Sequence, residues 1–294
     1  MQATSFTAEA IEAAENHTHG YRWTPDETVE VPFEPIFPYN FGAAGCINSN
    51  IEDMSRWVRL QLGEGSFEGQ RLVSAENLAF TRTPKVAIKE DGLYALGWSV
   101  QITPGGRVVW HNGGTYSYGA YVGLLLEQDV GIIILTNAQN VGFPDAVGAW
   151  LVDQLLDNPP VDHVAQTLEK ATRNYQASEK MFARPQSPRP SPPLEPLAGS
   201  FNNESFGKAD VRVDGDALVM ELTGTGAQLK LESWDGEIFT ARLMPEGRFA
   251  ATAKNIGPLP SAFAQFQIDE GGKLGVLRLS FDDGQAYQFR REEK

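Results

Sequence analysis

The stretch from Arg107 to Asn137, RVVWHNGGTYSYGAYVGLLLEQDVGIIILTN, constrains what this chain can fold into more than any other. It holds three β-rich runs, Arg107 to His111, Tyr118 to Leu126 and Gly131 to Thr136. Turn chemistry separates them at Asn112-Gly113-Gly114 and at Gln128-Asp129. Connections this short make the strands antiparallel, because a parallel crossover needs a dozen or more residues. The third run, with Ile132, Ile133, Ile134 and Leu135, is apolar on both faces, so something packs on each side of the sheet. His111 closes the first run beside glycines that would let a ligand approach the backbone. That is the chemistry of a catalytic edge, and equally that of an ordinary hairpin histidine.

At 294 residues the chain has room for two domains with a core each. Its formal charge of −14, from 38 acidic and 24 basic residues, offers no basic stripe to displace counterions from phosphates, which argues against nucleic acid and anionic membrane as partners. Cys46 is the only cysteine, so no intrachain disulfide and no cysteine-based zinc site can form. His17 and His19 share a polar loop with Glu15, which reads as solvated rather than as a metal pair. No apolar run reaches the length of a membrane span. The first twenty residues have neither a basic n-region nor an apolar h-region, so they do not read as a signal peptide.

Along the chain, residues 1 to 45 read as irregular, with a helical turn around Thr7 to Glu15. A prolyl loop follows, whose aromatics (Tyr21, Trp23, Phe33, Phe37, Tyr39, Phe41) need a surface to lie on. Ser49 or Asn50 caps a helix over Ile51 to Leu62, Ser74 starts another over Ala75 to Phe80, and Pro144 opens a third that runs to Asp157. A further strand is expected from Tyr94 to Thr103. Sheet plus returning helix makes this first part α+β.

From Asn158 to Pro196 a polar helical stretch and a Pro-rich segment, ARPQSPRPSPPLEP, read as a linker. Beyond it come seven or more short strands, with turns at Asp214-Gly215, Asp235-Gly236, Gly271-Gly272 and Asp283-Gly284, the pattern of a β-meander closed or nearly closed into a barrel. The division is therefore residues 1–157, 158–196 and 197–294. The interior of the meander suits packing or an apolar ligand, with packing favoured.

The runs YNFGAAGCINSNIEDMSRWVRLQLGEGSFEGQRLVSAENL, YALGWSV and VVWHNGGTYSYGAYVGLLLEQDVGIIILTNAQN resemble the C-terminal half of the serine β-lactamase-related hydrolases: class C β-lactamases, penicillin-binding proteins, D-aminopeptidases and related esterases. The tail LAGSFNNESFGKADVRVDGDALVMEL resembles the lipocalin-like domain appended to such enzymes. The resemblance implies acyl transfer: a Ser-x-x-Lys serine attacks a carbonyl, a Tyr-x-Asn tyrosine shares the proton, and a strand motif of the His-x-Gly type lines the opposite wall. His111-Asn112-Gly113 matches that strand motif. It implies His111, Gly113 and Gly114 as catalytic, the Gly114 N–H as an oxyanion donor, and Asn112 and Tyr116 as substrate-binding. A small-molecule or peptide substrate follows from it, with need of neither a metal nor an organic cofactor, and a periplasmic or secreted setting is the family's habit.

One departure is large. No Tyr-x-Asn occurs, and the single Ser-x-x-Lys string, Ser205 to Lys208, lies in the β-rich tail with Gly207 inside it, where no helix would set the lysine one turn from the serine. The expectation is a fragment whose nucleophile lies in a missing N-terminal segment or a complementing chain, inactive alone. The alternative is a non-enzymatic protein that binds a small ligand or partner in the remnant cleft and barrel.

Overall fold

The computed structural model describes residues 1–89, 92–268, 273–282 and 284–292. It divides into two compact units, Met1–Arg173 and Asn174–Lys294.

The first unit opens on α1 (Ala8–Glu12), a ribbon of β1 (Gly20–Trp23) and β2 (Thr28–Val31), and one prolyl turn of helix, α2 (Phe37–Asn40). Helix α3 (Ile51–Leu62) follows, with the Asn50 side chain accepting from the Asp53 N–H as its N-cap. A short ribbon of β3 (Ser66–Phe67) and β4 (Gln70–Arg71) leads to α4 (Ala75–Arg82), capped by Ser74. Then comes an antiparallel meander: β5 (Val86–Lys89), β6 (Gly92–Tyr94), β7 (Ser99–Thr103), β8 (Gly106–Thr115), β9 (Tyr118–Leu125) and β10 (Val130–Thr136). Helix α5 (Phe143–Leu155) returns across it.

The sheet is covered on both faces. Val58 of α3, with Trp98, Val100, Val109 and Leu124, makes one apolar layer; Val152 and Leu156, with Val108, Tyr121, Leu125 and Ile132, make the other. Two close approaches fix the layers. A Cβ at Gly131 would lie 2.1 Å from Val58 Cγ1, and one at Gly148 would lie 2.6 Å from the Tyr121 ring. Strand β10 is nonetheless the outer strand of its sheet, and Leu135 on it stays 41% exposed. The apolar run marks a strand contacted from both sides; it does not mark a central one.

Two sequence expectations are corrected. The run Tyr94 to Thr103 is not one strand: Tyr94 pairs with Ser99 across a tight turn in which Gly97 takes φ +75°, so the chain reverses inside it. Nor do Asn112, Gly113 and Gly114 form a turn. They continue β8, paired with Tyr121, Ala120 and Gly119, and the chain reverses at Tyr116-Ser117, so His111 lies within the strand and not at its end. The rich pairing with β9 outweighs the turn preference of Asn-Gly.

Helix α6 (His163–Phe182) runs from the first unit into the second. There β11 (Gly199–Asn203), β12 (Gly207–Asp214), β13 (Ala217–Leu222), β14 (Ala227–Asp235), β15 (Ile238–Leu243), β16 (Ala262–Ile268), β17 (Leu274–Phe281) and β18 (Ala286–Arg291) form a closed barrel in sequence order. Strand β11, which the sequence reading did not single out, closes it by pairing with both β12 and β18. A short helix, α7 (Ala250–Ile256), lies between β15 and β16. The turns expected at Gly271-Gly272 and at Asp283 lie outside the described residues.

Side chains fill the barrel. Phe201, Leu218, Met220, Leu231, Phe239, Leu277 and Phe289 are each 0% exposed and share one cluster. An eight-stranded barrel is just wide enough for such filling, so its core is packing. The Pro-rich segment is tied to the same unit: the Arg189 N–H and guanidinium donate to both carboxylate oxygens of Asp235, at 2.7 to 3.1 Å.

Candidate functional site

Strand register places the His-Asn-Gly-Gly segment. The hairpin between β8 and β9 closes with Thr115 opposite Tyr118, and the one between β7 and β8 closes with Thr103 opposite Gly106. Hydrogen-bonded and open pairs alternate along an antiparallel ladder. Counting from either hairpin gives the same result: odd-numbered residues of β8 bond to β9, and even-numbered ones turn their N–H and C=O toward β7. The last pair on that side is Ser99 with Trp110. Beyond it the backbone N–H groups of Asn112 and Gly114 face an edge with no strand beside it among the described residues.

Side chains alternate in the other sense. His111 and Gly113 lie on the face of Val109, with α3, whereas Asn112 lies on the face of Trp110, with α5. A Cβ built on Gly113 would meet nothing within 4 Å, so the strand surface there is open; at Gly114 it would meet Asn140 Cβ at 2.8 Å.

His111 is held at both ring nitrogens. Nδ1 lies 2.5 Å from the Asn112 carbonyl, and Nε2 lies 3.1 Å from the Tyr94 hydroxyl. Asn112 donates instead to Asp145 Oδ1, at 2.6 Å, in the first turn of α5. Burial pushes the Asp145 carboxyl above its ordinary range, and the hydrogen bond from Asn112 pulls against that rise. Asn140 donates to the Gly113 carbonyl at 3.0 Å and accepts from the Gly142 N–H at 2.9 Å, which ties β8 to the start of α5.

Tyr116, at the hairpin tip, packs on Phe37 with ring centroids 4.8 Å apart, and Phe37 packs on Phe41 at 5.1 Å. The prolyl loop thus lies against the hairpin. Buried Glu34 shapes it, accepting from the Ile36 and Phe37 N–H groups at 2.9 and 3.3 Å. Burial raises the Tyr116 phenol, and the Glu34 charge adds to the rise. Beside the same hairpin a cleft of about 340 Å³ is lined by His17, His19, Glu30, Phe33 and Tyr118, among others. His17 Nδ1 binds the Ala14 carbonyl and His19 Nδ1 binds Glu30. No group of three or more metal-ligating side chains occurs among the described residues.

The structure therefore sets the His111 side chain and the open Gly113 position on one face of β8, turns the Gly114 N–H to the β7 side of the strand, places Tyr116 at the adjoining tip, and puts Asn112 on the opposite face. Sequence reasoning missed Tyr94, Asn140 and Asp145. Tyr94 stands in the YALGW run, but only the hairpin within that run brings its hydroxyl to the histidine. Asn140 and Asp145 reach β8 across long sequence separations, which no local pattern announces.

Comparison with known proteins agrees with this architecture. Residues 1–157 match the beta-lactamase family model, and residues 183–292 match DUF3471, a domain of unknown function. The first match covers more than half of the chain, and the chain belongs to the beta-lactamase family. An unguisins hydrolase of Aspergillus campestris is 24% identical over 272 residues, which cover 83% of this chain and 48% of that protein. Another, of Aspergillus violaceofuscus, is 24% identical over 243 residues, 69% and 42% of the respective chains. The chain thus spans about half the length of the curated relatives it matches. Among solved structures, an octameric penicillin-binding protein homologue from Pyrococcus abyssi is 19% identical, with a TM-score of 0.46, across 98% of this chain and 56% of that one. No helix among the described residues is long and apolar enough to cross a membrane.

Proposed function

We propose that the first unit is the oxyanion and histidine wall of a serine hydrolase that cleaves amide or ester bonds, and that the attacking serine comes from residues outside these 294. The observation that carries this reading is the Gly114 N–H, turned to the β7 side of the strand that carries His111 and without a partner among the described residues, beside an open strand surface at Gly113. An N–H fixed in a sheet and free of an acceptor is what a developing oxyanion needs, because no reorganisation is required when the charge appears. Membership of the beta-lactamase family and the hydrolase names of both curated relatives support the same chemistry.

The placement of Ser205 and Lys208 supports an external nucleophile. They lie in and after the turn between β11 and β12, in the barrel unit, where the Ser205 N–H is held by Asn203 Oδ1 and Lys208 pairs with Asp210. On this reading Tyr116 and Phe37 border the pocket. Asn112 serves by anchoring β8 to Asp145, which keeps the Gly114 N–H in place.

The test uses the gene product that carries the serine, assayed on an activated ester. His111→Gln is expected to lower kcat by roughly a hundredfold or more, the scale of a lost acid–base group. An unchanged kcat in that variant would remove His111 from the site.

A further inference from the structure

The two contacts of His111 determine its hydrogen pattern. A carbonyl can only accept, so the 2.5 Å contact to the Asn112 oxygen places a hydrogen on Nδ1. In the neutral ring Nε2 is then the acceptor, and the partner 3.1 Å away, the Tyr94 hydroxyl, donates to it. The rings meet edge to face, 6.0 Å apart at 62°, a packing that holds the phenol against the imidazole. Tyr94 is itself fixed by the sheet, since it pairs with Ser99, which pairs with Trp110, the neighbour of His111. The one basic lone pair of the histidine is therefore covered by a hydroxyl that comes from a different strand.

We propose that Tyr94 is the positioning and proton-relay partner of His111, so that the imidazole exchanges protons with the acyl-transfer pocket through the Tyr94 oxygen. This rests on the hydrolase reading above. As the serine hydroxyl or water attacks, its proton passes to Tyr94 Oη while the phenolic proton passes to His111 Nε2. Tyr94 ends neutral and His111 ends as imidazolium, its Nδ1–H still on the Asn112 carbonyl. The reverse shift delivers the proton to the leaving group, so protons balance over the cycle and no other reactant is needed. The carbonyl stabilises the imidazolium, as an acceptor on the far nitrogen does in histidine-based acyl transfer.

Two measurements test this, and they separate it from the hydrolase reading. The first is the long-range nitrogen–proton spectrum of the imidazoles of the 294-residue chain at a pH where they are neutral. His111 is expected as the Nδ1–H form, with an Nε2 resonance displaced by an accepted hydrogen bond. Tyr94→Phe should move that resonance to the position of a lone pair bonded only to water, while the amide spectrum stays folded. A hydrogen on Nε2, or an Nε2 resonance identical in the two proteins, overturns the proposal whether or not the protein is a hydrolase.

The second is turnover of an activated ester by the serine-bearing gene product. Tyr94→Phe should lower kcat about a hundredfold with KM within about threefold, and adding His111→Gln should cost little more, because the two act as one unit. Fully multiplicative losses would overturn the relay. Absence of turnover in the unmutated protein would count against the hydrolase reading, and the spectra would still decide the pairing.

Discussion

The two units solve the same problem of β-structure in opposite ways. The barrel joins its first strand to its last, leaves no edge, and seals phenylalanines and leucines from all sides in its interior. The sheet of the first unit stops at β10, an outer strand that carries exposed Leu135. Nearby elements leave Phe143 50%, Trp150 47% and Leu155 43% exposed. Closure pairs every barrel strand on both sides around a packed interior. The open sheet leaves the backbone N–H groups of Asn112 and Gly114 without a neighbouring strand among the described residues, and the proposed reading uses the second of them.

The largest expected effect lies in the barrel. Phe239→Ala removes a fully buried ring and should cost about 3–5 kcal/mol. In a urea titration followed by fluorescence and circular dichroism, the barrel transition should fall and that of the first unit should stay in place. A joint fall of both transitions would break the comparison by showing one cooperative body.

A smaller effect is expected at the sheet. Gly131→Ala drives a methyl group into Val58, whose branched side chain has little freedom to turn aside, so the first unit should lose about 1–3 kcal/mol while the barrel transition holds. No loss would mean that α3 is seated less tightly on β10 than the structure shows.

The third effect depends on pH. Asp53 lies at the start of α3. Burial pushes its carboxyl upward, but hydrogen bonds from the Ala3 N–H, the Thr4 hydroxyl and the Gln2 N–H outweigh that and hold it below the ordinary range. A carboxyl lowered on folding contributes stability that is present above its unfolded value, about pH 4, and lost as pH falls through the folded value. The first unit should therefore weaken below about pH 4, and Asp53→Asn should flatten that part of the profile. An unaltered profile in the variant would assign the acid loss to other carboxylates.

The barrel was largely legible in the sequence because its strands are short β-rich runs and most of its turns carry a glycine. Its closing strand was harder to see, since Gly199 to Asn203 holds only one large apolar residue, Phe201. In the first unit the helices over Ile51 and Ala75 could be read from their caps, and the family from the combination of runs. The site was legible only in part. His111, Gly113 and Gly114 stood out by residue type, but the face each presents depends on the hairpin at Tyr116-Ser117, one step beyond where the asparagine and glycines suggested a turn. The partners of β8 come from residues 17 to 33 positions away, joined by packing and not by spacing.

On the proposed reading this chain supplies the wall of an acyl-transfer site, and the attacking serine comes from other residues. The most direct test is intact-mass measurement of the 294-residue chain after incubation with a fluorophosphonate or a β-lactam. The expected result is an unchanged mass. A stoichiometric adduct mapped to a serine within these residues would contradict it.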